Sequence, residues 1–164
     1  MAIENKVALV TGAGQGIGRG IALRLAKDGA SVMLVDVNPE GIAAVAAEVE
    51  ALGRKAATFV ANIADRAQVY AAIDEAEKQL GGFDIIVNNA GIVRDRMFAN
   101  TSEEEFDAVT SVHLKGHFAT MKHAGAYWRA KSKAGEAVDA RIINTSSGAG
   151  LQGSVGQATY SAAK

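Results

Sequence analysis

Tyr160 and Lys164 stand four residues apart, a spacing that puts both side chains on one face of a helix. A phenol beside an ammonium ionises below its usual pKa of ~10, which suits an acid–base group working near neutrality. Ser147 lies upstream, just past a short β-branched run, on a loop able to return its hydroxyl to the phenol. So placed, it would hold a carbonyl oxygen while the phenol gives up its proton. A loop serine on its own serves as readily to cap backbone groups. Tyr127 and Lys131 repeat the spacing inside an amphipathic stretch, with no comparable hydroxyl partner.

A second cluster is built of glycine. Thr11-Gly12-Ala13-Gly14-Gln15-Gly16-Ile17-Gly18 lies between an apolar run and a helical pattern. Gly12 permits a tight turn, while Gly16 and Gly18 let a pyrophosphate approach the backbone and a helix pack closely. The helix N-terminus adds N–H donors and a partial positive charge. Glycine turns also occur for backbone reasons alone. Here Asp36 closes the following strand, where a carboxylate accepts the hydroxyls of an adenosine ribose. The same charge repels a 2′-phosphate, and its neighbours Gln15 and Val37 carry no cation; Arg19 and Arg24 are the nearest that could swing in. NAD(H) is therefore expected in preference to NADP(H). A strand-ending Asp is otherwise a turn or cap residue.

Composition narrows the classes. Lys plus Arg number 17 against 18 Asp plus Glu, for a net charge of −1, so no basic surplus exists for a nucleic-acid or anionic-membrane partner. There is no cysteine, which removes thiol chemistry and Cys-ligated metals. His113 and His117 have the spacing of a metal pair, but no Glu follows His113 and His123 is remote, so no metal site is expected. No apolar run approaches the ~20 residues that span a bilayer, and Glu4 and Lys6 precede only a short apolar stretch. A cytoplasmic protein without a signal peptide is the expectation.

The elements that must position these residues alternate. Lys6–Val10, Ser31–Val35, Ala57–Val60, Phe83–Val87 and Arg141–Asn144 read as strands. Between them run helical patterns: a stripe of Ile17, Ile21 and Leu25 ending at Gly29; one opened by Asn38-Pro39 that buries Ile42, Val45, Val49 and Leu52; and one opened by Asp65 and Gln68 that buries Val69, Ile73, Ala76 and Leu80. Ser102 with Glu105 caps a further helical region running to about Lys133. Alternating strands and helices argue for an α/β parallel sheet in one domain spanning 1–164.

Taken in order, Thr11-Gly12-x-x-x-Gly16-x-Gly18, Asn88-Asn89-Ala90-Gly91 after the fourth strand, Ser147, and Tyr160 with Lys164 resemble the short-chain dehydrogenase/reductase family over essentially the whole chain. The resemblance implies a doubly wound Rossmann sheet. It casts Tyr160 as proton donor and acceptor, Ser147 as the holder of the substrate oxygen, and Lys164 as the group that acidifies the phenol and grips the nicotinamide ribose. Cofactor contacts are implied for Gly12, Gln15, Gly16, Ile17, Gly18, Asp36, Asn62, Ile63, Asn89, Ala90, Gly91, Tyr160 and Lys164. Asn62 stands where the family often has an Asp against adenine.

His113 stands where many members carry an asparagine that anchors a proton-relay water; an imidazole can also hold water, and adds a titration near ~6.5. The family continues past the position of Lys164 through two more strands and a substrate-covering segment. The resemblance therefore implies a C-terminally incomplete chain with the first five strands, an open edge at the fifth, and a Tyr160–Lys164 turn short of a stable helix.

Asn88–Phe98 and the region of His113 are similar to 3-oxoacyl-thioester reductases and (3R)-hydroxyacyl-CoA dehydrogenases. Lys131–Ala140 resembles an insertion of the hydroxyacyl-CoA and hydroxysteroid subgroup, although it equally reads as a surface loop, and the glycine turn with Asp36 is similar to NAD-dependent diketone or acetoin reductases. The expectation is an NAD(H)-dependent oxidoreductase interconverting a secondary alcohol and a ketone, with 3-hydroxyacyl thioesters first. Diketone, acetoin or hydroxysteroid reduction, and a non-catalytic dinucleotide-binding fragment, are the alternatives. The resemblance also implies a homodimer or homotetramer.

Overall fold

The computed structural model describes residues 3–164. Its centre is one parallel sheet of five strands: β1 (Val7–Thr11), β2 (Ser31–Asp36), β3 (Ala56–Val60), β4 (Ile85–Asn88) and β5 (Arg141–Asn144), in the order β3-β2-β1-β4-β5. β1 and β4 are buried along their whole length, which is why Val-Ala-Leu-Val-Thr and Ile-Ile-Val-Asn show no polar alternation. Register follows pairs such as Leu9 with Met33 and Leu9 with Ile86.

Alternate residues of each strand feed opposite faces. On one face Leu9, Met33, Val35 and Ile86 pack with Val69, Ile73 and Ala76 of α3 (Arg66–Leu80) and Ala119 and Ala124 of α5 (Gly116–Lys133). On the other, Ala8, Val10, Val32, Leu34 and Val87 pack with Ala22 and Ala26 of α1 (Gly16–Lys27) and Ile42, Val45 and Val49 of α2 (Pro39–Ala51). The sheet is thus covered on both sides. β2 and β3 lie to one side of β1 and β4 and β5 to the other. The crevice at the C-terminal ends of β1 and β4, where the order reverses, is the place where such sheets bind ligands.

Helix α1 departs from its pattern. The buried residues are Gly18, Ala22 and Ala26, whereas Ile17 is 71% exposed. The helix lies so close to the sheet that only small side chains fit beneath it. Ile21 and Leu25 flank the contact, packed against the cluster without being buried. In α2, Leu52 is likewise exposed at the helix end.

The predicted start signals are largely realised. Asn38 accepts from Gly41 N with Pro39 in the first turn, and Ser102 with Glu105 forms a complete capping box on α4 (Glu103–Thr110). At α3, Asp65 accepts from Ala67 N and Gln68 N, but the Gln68 side-chain oxygen accepts from Asn62 N instead of closing the box on Asp65. The long helical region is broken: a π turn over Ser111–Lys115 separates α4 from α5. At β5 every residue is exposed, with Ile142 and Ile143 bare. Two short helices follow, α6 (Gly148–Gln152) and α7 (Ala158–Ala163).

Candidate active site and dinucleotide cleft

The glycine turn leaves β1 at Thr11 with Gly12 at φ +65°, a conformation that favours glycine. A Cβ on Gly12 would stand 2.8 Å from the Ala90 Cα, and one on Gly18 would run into the Gly12 carbonyl. The turn is therefore pressed against both the Asn89-Ala90 segment and its own helix. Hydrogen bonds lock this arrangement. Asn89 N and Ala90 N donate to Thr11 Oγ1 (3.0 and 3.1 Å), and Asn89 Nδ2 donates to the carbonyls of Thr11 and Gly12 (3.2 and 3.3 Å). Asn88 reaches the other way: its Nδ2 donates to Asn144 Oδ1 at 2.8 Å and its Oδ1 accepts from Thr120 at 2.7 Å, joining β4, β5 and α5.

Asp36 closes the turn from the far side. Its Oδ2 accepts from Gly14 N at 2.9 Å and its Oδ1 from Asn38 N at 3.1 Å. Each oxygen keeps acceptor capacity for a further donor. The N-terminus of α1 is uncapped by any side chain, with Gln15 at the N-cap position, so its first N–H groups face the crevice.

Together these elements enclose a cleft of about 500 Å³, lined by Gly12, Gln15, Gly16, Ile17, Gly18, Asp36, Asn62, Ile63, Asn89, Ala90 and Gly91. Val37, Ala61, Ile92 and Val112 complete it. Ile92 continues the Asn-Asn-Ala-Gly segment and was within reach of the motif. Val112 arrives on the π turn, for which no residue pattern gave a signal. Ile17 is exposed because it borders this opening.

Tyr160 and Lys164 are not among the residues that line this cleft. Both belong to the α7 region, and Lys164 lines a second cavity of about 470 Å³ with His113, His117, Phe118, Met121 and Asn144. The Lys164 ammonium stands 5.8 Å from the centre of the Tyr160 ring and donates to Thr145 O at 2.7 Å. Burial alone lowers its pKa from the usual lysine range. The Ser147 hydroxyl serves as N-cap of α6, accepting from Ala149 N at 3.2 Å, the backbone role a loop serine commonly takes. That bond uses an acceptor lone pair and leaves the hydroxyl proton free to donate.

His113 is 1% exposed and meets the Tyr160 ring edge-on, with centroids 5.1 Å apart. Its Nε2 faces the Ile92 backbone, and among the described residues no hydrogen-bond partner meets its Nδ1. Burial lowers its pKa, and the Lys164 charge adds to this against the Ile92 hydrogen bond. His117 is pushed down to about 4 by burial, Lys164 and His113. Among the described residues no group of three or more His, Asp or Glu side chains could hold a metal ion, and no helix is long and apolar enough to cross a membrane.

The description "short chain dehydrogenase" belongs to a family whose model matches residues 6–164. The chain belongs to the short-chain dehydrogenase/reductase family. Within it, the chain is 49% identical over 99% of its length to the hydroxyacyl-CoA dehydrogenase ChsB1 of Mycobacterium tuberculosis, covering 53% of that protein. It is 37% identical over 100% of its length to the 3-oxoacyl-[acyl-carrier-protein] reductase FabG of Thermotoga maritima, covering 64%. Among solved structures, a short chain dehydrogenase from Mycobacterium avium matches with TM-score 0.96 and 56% identity, over 99% of this chain and 59% of that one. An NAD+-bound xylitol dehydrogenase matches with TM-score 0.89 and 30% identity, over 100% of this chain and 61% of that one. The chain thus spans between half and two thirds of the length of these four relatives.

Proposed function

We propose that the protein is an NAD(H)-linked oxidoreductase that interconverts a secondary alcohol and a ketone, with 3-hydroxyacyl and 3-oxoacyl thioesters as its first substrate class. The observation that carries the cofactor is the Asp36 carboxylate in the wall of the cleft, beside Val37 and Gln15 with no cation lining it. The cleft residues fit a dinucleotide: the uncapped N–H groups of α1 would hold a pyrophosphate, and Asp36 would offer acceptors to ribose hydroxyls and repulsion to a 2′-phosphate. An NAD+-bound neighbour of the same fold supports the choice. When bound, the cofactor supplies or accepts the hydride.

The protein's own groups handle the oxygen and its proton. Tyr160 donates a proton to the carbonyl oxygen in reduction and takes it back in oxidation. Ser147 donates its free O–H to the same oxygen while its lone pair stays with Ala149 N. Lys164, its ammonium 5.8 Å from the centre of the Tyr160 ring, places positive charge beside that ring. The substrate class rests on the resemblance to relatives named as a hydroxyacyl-CoA dehydrogenase and a 3-oxoacyl reductase.

A second reading, a dinucleotide-binding unit without turnover, is favoured by the absence of Tyr160 and Lys164 from the residues that line the cleft. One experiment separates them. NADH oxidation with acetoacetyl-CoA is followed for the wild type and Tyr160→Phe, alongside thermal unfolding with NADH and with NADPH. Catalysis that Tyr160→Phe abolishes supports the oxidoreductase. A shift in unfolding without turnover supports the binding unit, and a larger shift with NADPH than NADH overturns the role of Asp36.

A further inference from the structure

Helix α7, which carries Tyr160 and ends at Lys164, is six residues long, and no side chain caps its start. Helices this short are unstable by themselves in water, so contacts from elsewhere in the chain must set its place. At its C-terminal end Lys164 Nζ donates to Thr145 O at 2.7 Å, just past β5. In its middle Thr159 is buried, and the helix packs on α4.

Its start is held by the loop that follows β4. Gln157 stands at the N-cap position, and its Nε2 donates to Asp95 Oδ1 at 3.0 Å. Beside that bond, Arg96 N donates to Gly156 O at 2.7 Å. Two bonds between adjacent pairs of residues fix the direction of approach as well as its position. Gly156, at φ +76°, lies in a turn where Gln157 N donates to Ser154 O at 3.1 Å. The Gln157 carbonyl then accepts from Ser161 N at 2.7 Å, opening the helix. Gln157 therefore joins loop to helix through both its side chain and its carbonyl. Tyr160 follows three residues on, within one helical turn.

The loop is braced in its own right. Arg96 Nε donates to Glu105 Oε1 at 2.9 Å, while Glu105 Oε2 accepts from Ser102 N in the capping box of α4. None of Asp95, Arg96 and Gln157 lines the dinucleotide cleft or the second cavity, so a change at these residues leaves both sets of walls intact.

We infer that Asp95 and Gln157 are positioning residues for Tyr160: their hydrogen bond, beside the Arg96–Gly156 bond, sets where α7 begins and so where the phenol stands. The inference rests on the oxidoreductase reading for what the phenol does. The bond can be cut, kept or reversed by substitution. Asp95→Ala removes the acceptor, whereas Asp95→Asn keeps an oxygen for the Gln157 amide. Gln157→Glu sets two carboxylates face to face, and Asp95→Asn/Gln157→Glu restores one bond with donor and acceptor exchanged.

The test compares these four variants with the wild type by amide hydrogen exchange and by turnover of NADH with acetoacetyl-CoA. The Ser161 amide reports the start of α7, and the Leu9 amide at the centre of the sheet reports the fold as a whole. Asp95→Ala and Gln157→Glu are expected to speed Ser161 exchange at least about tenfold relative to Leu9. They are also expected to lower kcat at least about tenfold while KM for NADH stays within about threefold. Asp95→Asn and the double variant are expected within about threefold of the wild type in both readouts.

A Ser161-to-Leu9 ratio that Asp95→Ala leaves at the wild-type value overturns the inference, whether both amides are unchanged or both faster. So does an Asp95→Asn variant as loose as Asp95→Ala, or a double variant no tighter than Gln157→Glu. A kcat that Asp95→Ala leaves untouched while Ser161 loosens overturns it as well. A wild type without turnover overturns the oxidoreductase reading instead, and the exchange ratio still decides whether Asp95 and Gln157 hold the start of α7.

Discussion

Asp36 does two jobs with one carboxylate. It accepts from Gly14 N and Asn38 N, holding the glycine turn against α2, and it presents negative charge to the cleft. Replacing it with Ala therefore removes more than a charge. Asp36→Ala is expected to narrow the preference for NADH over NADPH by at least about tenfold and to destabilise the fold by about 1–3 kcal/mol, as two backbone donors lose their acceptor. Cofactor titrations and urea unfolding check the two effects separately. His117 sets a second expectation. Its pKa is about 4 in the folded chain against ~6.5 unfolded, so between these values the unfolded chain binds a proton that the folded chain refuses. Stability is then lost as pH falls from ~6.5 towards 4, by on the order of 3 kcal/mol, and levels off below. His117→Gln should flatten that slope in urea unfolding measured across the range.

At the scale of the element, the decisive contact is the close seat of α1 on the sheet. Gly18, Ala22 and Ala26 line its buried face, and α1 brings its uncapped N-terminus to the cleft because nothing larger holds it away. Ala22→Leu should cost about 1–3 kcal/mol by overpacking. It should also weaken NADH binding, since the helix that carries Gly16 to the cleft must shift. Ile21→Ala, on the flank, should leave binding nearly unchanged. Calorimetry with and without NADH measures both. The Ser102–Glu105 box makes a simpler case: Ser102→Ala is expected to cost about 1 kcal/mol of stability without touching the cleft.

Across the whole molecule, helices cover both faces of the sheet, while its edge strands β3 and β5 each pair on one side only. Helices α1 and α2 cover one face and α3 and α5 the other, while β5 exposes Ile142 and Ile143. Leu114 and Phe118 are bare on the neighbouring helical surface, together with Leu151 and Val155 near α6. Large apolar side chains left exposed favour association. The protein is expected to sediment as a dimer or larger assembly, and Phe118→Glu to shift it towards monomer. A wild type that sediments as a monomer across the micromolar range would refute this. Inside, Ile86 is buried at the centre of the sheet, and Ile86→Ala should cost about 2–5 kcal/mol.

Periodicity and local chemistry were enough to read the strand–helix alternation, the Asn38 and Ser102 caps and the glycine turn, because these depend on neighbours in the chain. Asp36 and the Asn88–Gly91 segment were legible for the same reason: each directly follows or ends a strand whose C-terminal end must open at the sheet's switch point. What depends on packing between distant segments was not. The stripe of Ile17, Ile21 and Leu25 looked like the buried face of α1, but the closeness of the sheet selects Gly18, Ala22 and Ala26 instead. The spacing of Tyr160 and Lys164 put them on one face without saying which cavity they adjoin. The π turn has no residue signature, since one extra residue per turn is stabilised only by what it packs against. It is this turn that brings His113 to Ile92 on one side and Tyr160 on the other.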